Sequence, residues 1–150
     1  MKQILFFIGL SCTVLTACNN AADKKPEDVK AIIDDSTKFT HVKWKDTTLD
    51  FGARKMGDIV NLTFICTNTG DKPLYIADVH PSCGCTLVDY SKEPIAPGKT
   101  GKIDAQFDTK KSHSPEVHKT IFVHTNTDDP ARYLSFSGTV IMDSVKTAKQ

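Results

Sequence analysis

Charge of one sign is missing from this sequence. Its 150 residues carry 19 lysines and arginines against 18 aspartates and glutamates, a formal net charge of +1. Such a balance leaves no electrostatic footprint for nucleic acid or for an anionic membrane surface. Also missing is any apolar run of the roughly 20 residues that a helix needs to cross a bilayer. No Gly-x-Ser-x-Gly elbow presents a serine nucleophile, and no glycine-rich loop is built to cradle phosphate. With 8 glycines and 7 prolines the chain has no low-complexity tract, and no internal repeat is visible. Cysteine is scarce, at five residues.

What is present begins with export. After Met1-Lys2-Gln3 comes a twelve-residue apolar run, Ile4 to Leu15, broken only by Gly9, Ser11, Cys12 and Thr13. It has the length and flanks of a secretory signal. Leu15-Thr16-Ala17-Cys18 resembles the lipobox of bacterial lipoprotein precursors. That resemblance implies cleavage after residue 17 and acylation of Cys18, which places the protein in the cell envelope, anchored to the membrane by lipid. Several acyl chains hold firmly, because each buried methylene contributes about 0.8 kcal/mol. Removing residues 1–17 takes away Lys2 and no acid, so the mature chain is neutral. Asn19-Asn20 lacks the aspartate of an inner-membrane retention signal, which favours the outer membrane, on its periplasmic or surface face.

Residues 18–42 read as the lipidated cysteine and a polar tether, in which Glu27 to Asp35 is expected to form one or two helical turns. The domain is expected over 43–142, with a tail at 143–150. From Thr47 onward short strands alternate with turn signals. Val60, Leu62, Phe64 and Cys66 alternate with polar or outward residues, and Asn68-Thr69-Gly70-Asp71-Lys72-Pro73 supplies a hairpin loop. Leu74–Val79 and Cys85–Tyr90 follow. Ile103, Ala105 and Phe107 then alternate with Lys102, Asp104 and Gln106. Lys119–Thr125 and Tyr133–Ile141 complete, with Thr47–Phe51, about seven antiparallel strands. That count and spacing predict an all-β, immunoglobulin-like sandwich.

The residues also carry a family signature. Phe51-Gly52, Phe64, Asn68-Thr69-Gly70-Asp71, Pro73-Leu74-Tyr75-Ile76 and Ser82-Cys83-Gly84-Cys85-Thr86 stand in order. Pro94-Ile95-Ala96-Pro97-Gly98-Lys99, Phe107, Thr125-Asn126 and Leu134-Ser135-Phe136-Ser137-Gly138 complete it. Together they resemble the bacterial family called domain of unknown function 1573, over roughly residues 46–141. The resemblance implies an immunoglobulin-like fold in an exported protein or lipoprotein, and brings no catalytic activity with it.

Three cysteines are free of the anchor: Cys66, Cys83 and Cys85. Thiols outside the cytoplasm are usually paired, and three cannot all pair within one chain. Cys83 and Cys85 lie two apart and, in extended chain, point to one side. Thiolates so placed suit copper or zinc, with His80 as a third ligand and Cys66 as a fourth if its strand lies alongside. A Cys83–Cys85 disulfide requires Gly84 to bend the chain, and would be a partner for thiol exchange. A purely structural role is the third reading, since Cys66 continues the apolar face of its strand.

His113, His118 and His124 read as surface residues, and His41 as part of the tether. Trp44 is expected either to cover a sandwich edge or to anchor a partner. Asp35-Ser36-Thr37, Asp46-Thr47-Thr48 and Asp143-Ser144-Val145 resemble O-glycosylation sites of exported proteins. The sequence therefore predicts a non-catalytic envelope module with a protein or polymer partner. Its alternative is a metal-binding or thiol-redox protein using Cys83-Gly84-Cys85.

Overall fold

In a computed structural model, residues 26–142 are described. The expected signal sequence, the expected lipidation site at Cys18 and the 143–150 tail lie outside the described residues. Helix α1 (Pro26–Asp34) precedes eight strands: β1 (Val42–Trp44), β2 (Thr48–Lys55), β3 (Ile59–Asn68), β4 (Ile76–Pro81), β5 (Thr86–Tyr90), β6 (Thr100–Asp108), β7 (Glu116–Thr125) and β8 (Ala131–Ile141). They form two four-stranded sheets, ordered β1-β3-β6-β5 and β2-β8-β7-β4. The architecture is the expected β-sandwich.

Period-two alternation builds both inner faces. Val60, Phe64, Cys66 and Asn68 of β3 point inward, opposite Gly101, Ile103, Ala105 and Phe107 of β6. The second sheet contributes Val117, Ile121 and Val123 of β7, with Leu134, Phe136 and Val140 of β8. Three signature phenylalanines knit the sheets together. Phe107 from the first sheet lies 5.8 Å from Phe51 and 5.6 Å from Phe136 of the second, ring centre to ring centre, in tilted arrangements.

Two details depart from the sequence reading. β1 is an additional strand: it pairs with β3 and sets Trp44 opposite Cys66, so Trp44 is a half-buried sheet residue packed on the core. β2 runs parallel to β8, where an all-antiparallel sandwich was expected. A parallel neighbour needs a long connection, and here five strands intervene, a relation invisible to local pattern.

Packing onto the sandwich also begins before residue 43, within the span expected to be a tether. Ile33 of α1 is buried, and the helix packs against β4. Thr40 is buried; its N–H donates to the Asn126 carbonyl, and its hydroxyl donates to Oδ1 of Asn68. Residues 37–41 are thus woven into one end of the sandwich, because buried backbone groups must find partners. At that end the fully buried Asn68 also accepts from the Gly70 N–H and donates to the carbonyls of Lys72 and Ile95. Asn126, equally buried, donates to Lys38 and Pro73 and accepts from the Tyr75 N–H.

Candidate functional site

The opposite end of the sandwich holds the concentrated chemistry. β4 ends at Pro81, and Ser82 holds the turn by donating its N–H to Thr120 O and accepting the Thr120 N–H at its hydroxyl. The chain then turns through Cys83-Gly84-Cys85 into β5. The turn brings the two Cα atoms to 5.2 Å, and Cys83 and Cys85 form a disulfide. That separation falls inside the range a disulfide tolerates. The Cys85 carbonyl accepts from the Asp108 N–H, which ties the turn to the end of β6.

The two sulfurs are not equivalent. Cys85 is buried, 8% exposed, within the core cluster, whereas Cys83 is partly open to solvent. Thr86, itself buried, places its hydroxyl 3.7 Å from the Cys83 sulfur and 3.9 Å from that of Cys85. One O–H therefore stands within reach of both.

A depression opens around the disulfide, lined by Cys83, Gly84, Cys85, Lys110, Lys111, His113 and Lys119. No carboxylate is among these lining residues. Lys111 directs its ammonium to the Gly84 carbonyl at 3.5 Å, over the turn between the sulfurs. Lys119 comes from β7, and Lys110 and Lys111 from the loop after β6, whose 3₁₀ turn (Thr109–Lys111) is capped by the Asp108 side chain accepting the Lys110 N–H. Thr109 fixes this turn from below. It is fully buried, accepts from the Gly57 N–H, and its hydroxyl lies 3.0 and 2.8 Å from the Lys55 and Asp58 carbonyls.

The remaining candidates fall elsewhere. Cys66 is a free, buried thiol. Cys85 lies level with Asp108 and Ile59, so Cys66 sits seven residues further along β3, roughly 20 Å away. It is no fourth ligand to the pair, and burial raises its thiol pKa. His80 pairs with Asp78 on the surface of β4. With the two sulfurs bonded to each other there is no thiolate pair to offer a metal. Among the described residues no group of three His, Cys, Asp or Glu side chains is placed to hold one. His118 and His124 lie on the outer side of β7, away from the disulfide depression. The sequence reading missed Lys110, Lys111 and Lys119 and dismissed His113. The Lys110-Lys111 pair was visible, but nothing local connects it to cysteines 25 residues earlier.

Residues 42–140 match a family described as "Protein of unknown function (DUF1573)". No curated protein matches the chain. Among solved structures it is similar to a protein of unknown function from Porphyromonas gingivalis W83, with a TM-score of 0.62 and 17% identity over 70% of this chain and 49% of that one. The chain thus spans about half the length of that protein. It is also similar to the ASH / PapD-like domain of human CEP192 (PapD-like domain 7), with a TM-score of 0.57 and 10% identity over 89% of this chain and 100% of that one. Vibrio cholerae VesB protease matches with a TM-score of 0.52 and 15% identity over 66% of this chain and 31% of the protease. At such identities the likeness is one of fold.

Proposed function

The chain belongs to the DUF1573 family, and from that premise we propose that it is a lipid-tethered module of the cell envelope that works by binding a partner, not by catalysis. The observation that carries this reading is the cationic depression around the disulfide, in a chain whose overall formal charge is only +1. Its position supports the same reading. Residues 37–41, which follow the anchoring segment, join the sandwich at the Asn68 end, and β3 spans from the disulfide end to there. Nine strand steps separate the two ends, roughly 30 Å. Anchored through Cys18, the domain holds its disulfide end away from the lipid.

The sheet edges are poor alternatives for partner pairing. β1 has three residues and β5 five, while β2 and β4 are interrupted by register shifts, and β4 ends in proline. Short and bulged edges are how β-proteins avoid pairing with other chains. The partner is accordingly an anionic protein or polymer of the envelope that meets the loop end.

A photo-crosslinking residue placed at Lys111 in living cells should yield an adduct, and one at the exposed Tyr133 should not. Lys110→Glu with Lys119→Glu should abolish the adduct. Crosslinking from Tyr133 alone, or from neither, overturns the reading. Cys18→Ser should move the protein from the membrane fraction to the soluble periplasm.

A further inference from the structure

We propose that the Cys83–Cys85 disulfide is an exchange site for an anionic thiol, so that the partner met at this end is oxidised by the domain. This rests on the reading that the cationic end faces the partner, and it adds the chemistry of the encounter. Three features converge. Cys83 is partly open to solvent and Cys85 is buried, which directs attack to the Cys83 sulfur. Lys110, Lys111, Lys119 and His113 line the approach, so a thiolate carrying further negative charge is drawn in. The Thr86 hydroxyl lies within 3.9 Å of either sulfur and can donate to whichever becomes the thiolate.

The step balances as follows. A substrate thiolate attacks the Cys83 sulfur; a substrate–Cys83 disulfide forms, the Cys83–Cys85 bond breaks, and its electron pair leaves on Cys85. The Lys111 ammonium over the turn and the Thr86 O–H stabilise that charge. A second substrate thiolate attacks the substrate sulfur of the mixed disulfide, which releases an oxidised substrate disulfide and the Cys83 thiolate. Two electrons pass from two thiols to the domain, and the released thiolates take protons from water. The exchange is stoichiometric, one disulfide per domain.

Exchange rates depend on the attacking thiolate and on access to the sulfur. The test is reduction of the lipoprotein in neutral detergent, followed by intact mass after alkylation. Three small thiols serve as probes: mercaptoethanesulfonate (anionic), 2-mercaptoethanol (neutral) and cysteamine (cationic), with rates expressed per thiolate. The anionic probe should react at least about tenfold faster than the cationic one at low salt. The preference should vanish in 0.5 M NaCl and in the Lys110→Gln/Lys111→Gln/Lys119→Gln protein, whose changes lie outside the core. Thr86→Val should slow all three probes and Thr86→Ser should restore them. In Cys85→Ser, the anionic probe's symmetrical disulfide should form a stable adduct at Cys83. Equal rates for the three probes, or a preference that survives the lysine changes, overturns the proposal. Equal rates with crosslinking at Lys111 intact would remove the exchange and leave the binding reading standing. Loss of crosslinking with the charge preference intact would do the reverse.

Discussion

Asn68 shows how a motif residue is used. Its side chain accepts from Thr40 and Gly70 and donates to Lys72 and Ile95, with no access to water. Asn68→Ala leaves the Thr40 hydroxyl, the Gly70 N–H and the part-buried Lys72 carbonyl without this partner, and reduces the Ile95 carbonyl to the Leu74 N–H alone. Each abandoned partner costs about 1–3 kcal/mol, so the variant should lose at least about 3 kcal/mol by urea denaturation. A loss under about 1 kcal/mol would mean that the network is not as closed as its geometry. Cys66 makes the complementary case. It is buried, and burial holds its thiol above the usual pKa, so the thiolate needed for reaction is scarce. Alkylation should find no reactive thiol in the folded domain. With Cys18 replaced by serine, denaturation without reductant should expose one thiol, at Cys66; three would contradict the disulfide.

At the scale of elements, β2 and β8 meet through a glycine. Gly52, at φ +67°, donates its N–H to the Asp50 carboxylate and bulges β2, which lets Phe51 turn into the core. Phe51 covers β8 at Gly138, where a methyl group would meet the Phe51 ring and stand 2.6 Å from the Gly52 carbonyl. Phe51 is locked between Phe107 and Phe136 and has no room to yield. Gly138→Ala should therefore destabilise by about 1–3 kcal/mol, the usual cost of overpacking, and lower Tm measurably. A neutral outcome would show that the parallel β2–β8 seam shifts freely. The sequence displayed Phe51-Gly52 and Phe136-Ser137-Gly138 as separate signature pieces, without showing that they touch.

At the scale of the whole molecule, the two ends of the sandwich divide the labour. The end joined by residues 37–41 spends its signature residues on structure: Asn68 and Asn126 bind together loops that are distant in sequence. The disulfide end gathers lysines from β7 and the loop before it around two cysteines from the turn before β5. Strand alternation and turn chemistry were legible because they are local: a period of two, an Asn-Thr-Gly turn and a Pro-Gly turn are each written within a few residues. So the sequence by itself determined the β-sandwich class, most of its strands and the inward residues, and it raised the expectations of a role for Cys83 and Cys85 and of lipid anchoring at Cys18. Only the tertiary structure decided which cysteines pair, that β2 lies parallel to β8, that residues 37–41 belong to the domain, and that lysines 110, 111 and 119 surround the disulfide. Those are matters of which distant segments become neighbours. That choice is made by burying both sheets' apolar faces at once, an energy that no window of sequence contains.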